Sequence, residues 1–216
     1  MTMRASLSAM ASAALFGALA LSGCSQSAES KGAVPADLPR CEQILGKQNV
    51  RDAVEAMGKG DLVVSSRLPA KKLAALLSRE SKASDAEDLL HHSYRACRVT
   101  MLEREEGGAV VVEATVKWSV LLLDGMTEPK YAETWRKVNE QVFVETRRNG
   151  SGMRLLVACG LPGAADGQLR APLEMEVSDP GFDPALRGKL LTTFARSLTD
   201  ALACTNVPEI PLALSA

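Results

Sequence analysis

Apolar and polar residues alternate with two different periods along this chain, and the change of period marks its elements. Up to about His92, apolar positions recur every three to four residues. Asn49 suits a helix N-cap, with Asp52 in the first turn; Val50, Val54 and Met57 form an apolar stripe, and Gly58 stands at the expected stop. Pro69 suits a first helical position, with Leu73, Leu76 and Leu77 facing inward behind it. Leu62-Val63-Val64 lies between these helices as a short strand, and Ser84 with Glu87 matches a capping box for a short helix ending near His92.

From Cys97 the period falls to two. A strand over about 98–104 leads through a Gly107-Gly108 turn into a long one. There Val110, Val112, Ala114, Val116, Trp118, Val120 and Leu122 share a face opposite Glu113, Thr115, Lys117 and Ser119. Strands over 141–147 and 153–159 flank the turn Asn149-Gly150-Ser151-Gly152. Leu173, Met175 and Val177 alternate with Glu174 and Glu176, which predicts a strand with one wet face. The chain then returns to helix: Asp183 caps, Pro184 follows, and Leu186, Leu190, Leu191, Phe194, Leu198, Ala201 and Leu202 form one apolar stripe up to Cys204. Strands grouped in the middle with helices on either side predict an α+β fold, an antiparallel sheet with helices before and after it.

The N-terminus follows a different logic. Arg4 precedes an Ala/Leu-rich run that is shorter than the roughly 20 residues needed to cross a bilayer, and Ser22 and Gly23 lead into Cys24. That order of charge, apolar run and small residues describes a secretory signal peptide. Leu21-Ser22-Gly23-Cys24 resembles the lipobox of bacterial lipoproteins. The resemblance implies cleavage before Cys24 and a diacylglycerol on its thiol, a two-chain anchor that holds firmly to a membrane. Ala18-Leu19-Ala20 offers an alternative cut that releases a soluble product, and Ser25 does not choose between an inner and an outer membrane. The predicted organisation is a signal peptide at 1–23, a polar tether at 24–40, a single domain at 41–204 and a C-terminal tail at 205–216.

Lipidation of Cys24 leaves an even set, Cys41, Cys97, Cys159 and Cys204, in an oxidising compartment. Four cysteines allow three pairings. Cys41–Cys97 and Cys159–Cys204 are favoured because each ties a helix end to a neighbouring strand, closing loops of about 56 and about 45 residues. A zinc site fits poorly, since structural zinc takes closely spaced pairs such as C-x2-C and these cysteines are far apart in sequence.

Composition excludes more than it identifies. Charged residues make up 24% and the formal net charge is −1, so neither a nucleic-acid partner nor an electrostatic grip on anionic lipid is expected. Aromatics are only 4%, too few for a platform of stacked rings. His91 and His92 are the only histidines; neighbours on a helix diverge by about 100°, and no ligand cluster accompanies them, so no metal is assigned. There is no G-x-S-x-G nucleophile motif, and Gly150-Ser151-Gly152 fits a turn. Glu103, Glu105 and Glu106, and Glu174 with Glu176, fit a turn and a solvated sheet face better than a glycosidase pair. Asp179 and Asp183 lack the dense oxygen-ligand spacing of a calcium loop. No catalytic residue and no cofactor are assigned. Trp118 is expected in the core. Tyr131, Trp135 and Arg136 are the candidate contact surface, the alternative being that Trp135 packs over the sheet edge.

The layout as a whole, leader, lipobox, polar tether, early cysteine before a helix and late cysteine after one, resembles secreted lipoproteins of actinobacteria of unassigned role. Cys41, Cys97, Cys159 and Cys204 carry that resemblance, which implies location and fold and brings no catalytic residues. The expectation is a lipid-anchored extracytoplasmic protein, a non-catalytic binding or accessory module for an envelope protein or a small ligand. The alternatives are a secreted hydrolase whose site is assembled from residues distant in sequence and a purely structural envelope component.

Overall fold

In a computed structural model, the chain is described over residues 35–214, apart from 67, 84–90, 104–107, 147–151, 165–167 and 169. The leader with Cys24, the Ser84–Glu87 capping box, Gly107, Glu105, Glu106 and the Asn149-Gly150-Ser151 turn lie outside the described residues.

Helices α1 (Leu38–Leu45) and α2 (Lys47–Ala56) bury Cys41, Ile44, Leu45, Val50 and Ala53. Gly46 separates them at φ 88°, a left-handed backbone that glycine adopts without strain. Asn49 is therefore inside α2 and does not cap it. Its amide donates instead to the Leu45 carbonyl at 2.8 Å and to Thr193 Oγ1 at 2.9 Å, pinning α2 to the last helix. The first helix opens at Leu38, ahead of the expected domain boundary at Cys41, because Pro39 sits comfortably in its first turn.

Strand β1 (Asp61–Ser65) and helix α3 (Ala70–Ala83) follow, then β2 (Tyr94–Leu102) and β3 (Ala109–Trp118). Beyond β3 come a 3₁₀ helix (Leu123–Thr127), the single turn α4 (Pro129–Ala132) and four strands, β4 (Trp135–Asn139), β5 (Val142–Thr146), β6 (Gly152–Val157) and β7 (Leu173–Ser178). Helix α5 (Pro184–Leu202) closes the fold, with Asp183 accepting a hydrogen bond from the Ala185 N–H at 2.8 Å as its cap.

The seven strands form one antiparallel sheet in the order β1-β2-β3-β7-β6-β5-β4. The expected α+β architecture, with helices before and after an antiparallel sheet, is the one observed, and so are both disulfides. One face of the sheet carries the helices. Val112, Ala114, Val116 and Trp118 of β3 meet Leu173, Met175 and Val177 of β7 and Met153, Leu155 and Val157 of β6, all nearly inaccessible to water. Leu190, Leu191, Phe194 and Leu198 of α5 lie in the same core, each worth about 1.5–3 kcal/mol when fully buried. The Trp118 indole N–H donates to the Leu77 carbonyl of α3 at 3.1 Å, which satisfies its polar atom inside the core.

The segment after Cys204 packs on the domain. Ile210 and Leu214 are buried, and the Arg196 guanidinium holds the Ile210 carbonyl at 2.7 Å. Leu214 crosses α5 at Gly188, where an added Cβ would come within 2.7 Å of its carbonyl oxygen.

Candidate interaction face

The chain enters the second half of the sheet by an unusual route. β3 is central and β4 is the far edge, so residues 119–134 must cross from one to the other. They cross on the face opposite the helices. Met126, with Leu121, Leu123 and Tyr131 partly buried beside it, packs there on Trp135, Phe143 and Leu156 as a small second core. This strap covers the β4–β5–β6 half of the second face, and the β1–β2–β3 half is left without a covering element among the described residues.

An ion-pair network runs along the strap's border. The Arg154 guanidinium pairs with Glu145 through Nε and Nη2 and with Glu174 Oε1 through Nη1 at 3.0 Å, and it lies over the Trp135 ring. Glu174 also accepts from Ser119 Oγ at 3.0 Å, and Lys117 Nζ is 3.5 Å away. Burial disfavours the charged form of Arg154, but its bonds and charge interactions with Glu145 and Glu174 outweigh that, and its pKa is raised overall. The wet face expected for β7 is corrected here: Glu174 is buried, because alternation records which face a residue takes and not what comes to lie over it.

The uncovered half is organised by a β-bulge. β2 and β3 pair with a register shift between Arg95 and Cys97, so Ala96 and Cys97 are both buried in the helix-side core. Arg95 opposite Thr115 and Arg98 opposite Glu113 then fall on the same, open face, which plain alternation over three residues forbids. Both guanidiniums approach one carboxylate oxygen, Glu113 Oε2, Arg95 Nε at 3.0 Å and Arg98 Nη1 at 3.4 Å. The first contact is an ion pair by distance but lacks hydrogen-bond geometry, leaving a buried donor at Arg95 Nε unsatisfied, a state that costs about 1–3 kcal/mol. Beside them Arg98, Val111, Glu113, Ser178, Asp179 and Pro180 line an open groove of about 450 Å³.

The candidate contact surface Tyr131, Trp135 and Arg136 is not brought together. Trp135 is 5% exposed in the second core, and Tyr131 lies partly buried over it with Lys130 Nζ 4.8 Å from its ring. Arg136 is the next residue of an extended strand, in register with Val144 of the helix-side core, so it takes the opposite face. Trp135, on the edge strand β4, packs with Met126, Phe143 and Leu156. Trp135→Ala is expected to cost about 3 kcal/mol in urea unfolding, since it empties the centre of the second core, whereas Arg136→Ala should change stability by less than about 0.5 kcal/mol.

His91 and His92 precede β2 and are not themselves helical. His91, at φ 37°, places Nδ1 2.9 Å from the Trp118 carbonyl, and the His92 N–H donates to Glu80 Oε1 at 3.2 Å. Among the described residues no three His, Cys, Asp or Glu side chains are grouped to hold a metal ion. Asp179 is committed to Arg187 and Asp183 to its helix cap. Glu80 is buried, and the Tyr94 hydroxyl is pushed above its ordinary pKa by burial first and by the Glu80 carboxylate second. A raised folded-state pKa gives stability that is present below the ordinary value of 10.0 and lost as pH rises through the folded one. Urea midpoints at about pH 9 and about pH 11 should therefore converge in Tyr94→Phe relative to the parent.

Comparison of the chain with protein-family models, with curated proteins and with solved structures finds no match. Among the described residues, no helix is long and apolar enough to cross a membrane.

Proposed function

We propose that this chain is an exported protein, held to a membrane through a lipid on Cys24, whose folded body is a non-catalytic binding module. The observation that carries the reading is the uncovered half of the sheet. A strap shields one half of the second face and leaves Arg95, Arg98, Thr100, Val111 and Glu113 open beside a groove. Export is supported by the lipobox-like Leu21–Cys24 and by two buried disulfides, which persist in oxidising compartments and are rare in the cytosol. A hydrolase is the weaker reading, because Glu145 and Glu174, the two buried carboxylates of the second face, are neutralised by Arg154 and lie beneath the strap's border.

Fractionation of cells expressing the parent and Cys24→Ala chains tests the anchor. The parent should remain with membranes and the variant should move to the soluble extracytoplasmic fraction, both with no free thiol among the remaining cysteines. A variant that stays with membranes contradicts the lipid anchor, and reduced parent protein in the cytosol contradicts export. Turnover of ester or glycoside substrates by the parent would replace the binding module with the hydrolase.

A further inference from the structure

The binding-module reading leaves open what is bound, and the Arg95–Arg98 pair narrows it. Three observations meet at this point of the fold. The bulge at Ala96 turns two arginines onto one face, and bulges commonly serve to re-aim a side chain. Their guanidiniums have only one anionic partner among the described residues, a single oxygen of Glu113, so two positive charges share one negative charge. Both side chains are partly open to solvent, 35% for Arg95 and 41% for Arg98, and most of their N–H donors remain available for a second acceptor.

The surroundings define the shape of the ligand. Val63 is 49% exposed and Leu102 42% exposed, both on this same face by their register with Thr100 and Ala109. The groove over Val111 and Pro180 is wide open to solvent, which suits an extended chain lying across strands better than a small molecule that needs enclosure. A uniformly anionic bilayer suits it poorly, since Glu113 and Glu176 stand on this face and would repel it. A discrete carboxylate does not meet that objection.

We propose that Arg95 and Arg98 form the recognition site for an acidic segment of a partner polypeptide. An Asp or Glu carboxylate of the partner bridges the two guanidiniums in charge-assisted hydrogen bonds, and an apolar neighbour lies on Val111 and Pro180. The site rests on the binding-module reading and specifies its ligand class.

Selection of a random dodecapeptide display library against the full chain in detergent micelles tests this directly. The recovered peptides should be enriched in Asp or Glu beside apolar residues. A synthetic peptide from that pool should lose at least about tenfold in affinity to the Arg95→Gln/Arg98→Gln variant, and its binding to the parent should weaken as salt is raised. Arg136→Gln, on the other face, should bind as the parent does. Arg98→Glu should recover affinity for the peptide whose acid is replaced by lysine, a reversal that a merely misfolded variant does not give. Peptides without acidic enrichment, or peptides that bind the double variant equally, overturn the site while leaving a binding module elsewhere on the surface. Binding of pure phosphatidylglycerol vesicles through the same arginines, with no acidic peptide recovered, overturns it in favour of a lipid surface. Substrate turnover with no peptide recovered removes the binding-module reading as well.

Discussion

Replacing Cys159 and Cys204 together with alanine is expected to lower the unfolding free energy by about 4 kcal/mol, and the same change at Cys41 and Cys97 by at least as much. The bridges span 45 and 56 residues, and on the chain-entropy account the longer loop contributes slightly more. Cys41 and Cys97 are also the more deeply buried, at 0% and 1% exposed, so their truncation leaves cavities in the core. A domain of ordinary stability has about 5–15 kcal/mol in all, so losing both bridges should leave it barely folded. Urea titration of the two double variants under non-reducing conditions, compared with the parent under reducing conditions, measures each loss. A cost below about 1 kcal/mol for either pair would mean that its bridge constrains the unfolded chain little. The two variants should also differ in function. Cys97 is part of the bulge that turns Arg95 and Arg98 onto one face, whereas Cys159 and Cys204 join the end of β6 to the end of α5. Acidic-peptide binding should therefore suffer in the Cys41/Cys97 variant at temperatures where both remain folded.

The Cys159–Cys204 pairing was legible because those cysteines stand just past the ends of β6 and α5, whereas Cys41 and Cys97 lie inside α1 and β2. β3 was legible because its Val-Glu-Ala-Thr-Val-Lys alternation faces a deep core on one side only. β4 was not, because Trp135-Arg136-Lys137-Val138-Asn139 is an edge strand whose outer residues are solvated on both faces, so only Trp135 carries the signal of burial. Glu174 misled for a related reason. Its alternation with Met175 placed it correctly on the second face, but the strap that covers that face comes from 119–134, a stretch whose apolar residues follow neither helical nor strand period.

The candidate site was the least legible feature. In an uninterrupted strand, residues three apart point in opposite directions, so Arg95 and Arg98 give no hint of a common site until the extra residue at Ala96 is seen. The bulge itself has no strong sequence signature, since Tyr94-Arg95-Ala96-Cys97 contains neither glycine nor proline. The demand comes from elsewhere in the fold: Cys97 must face α1 to reach Cys41, and Ser66 Oγ donates to the Ala96 carbonyl at 3.0 Å beyond the end of β1. A covalent constraint on the core side thus sets the arrangement of charge on the open side.

Arg187→Met is expected to cost about 3–5 kcal/mol, far more than its single-residue loss of surface would suggest. Arg187 lies on α5 with its side chain 3% exposed, and Asp179, in the turn after β7, is fully enclosed. The pair is joined by Nε to Oδ2 at 2.5 Å and by Nη2 to Oδ1 at 2.8 Å, and Nη2 also reaches the Phe182 carbonyl at 3.2 Å. Asp179 Oδ1 accepts the Gly181 and Phe182 N–H groups as well, at 2.8 and 2.6 Å. Removing the arginine leaves a buried carboxylate held only by neutral donors, and the desolvation of that charge is then no longer offset. The Arg187→Met/Asp179→Asn double variant should recover much of the loss, because an amide oxygen keeps the two backbone donors satisfied without carrying charge. Equal urea midpoints for the single and double variants would show that the cost comes from lost packing of the arginine stem and not from the stranded carboxylate. The consequence extends to the candidate interaction face. Asp179 and Pro180 form one wall of the groove beside Arg98, so a variant that loosens this turn should weaken acidic-peptide binding even where the domain remains folded.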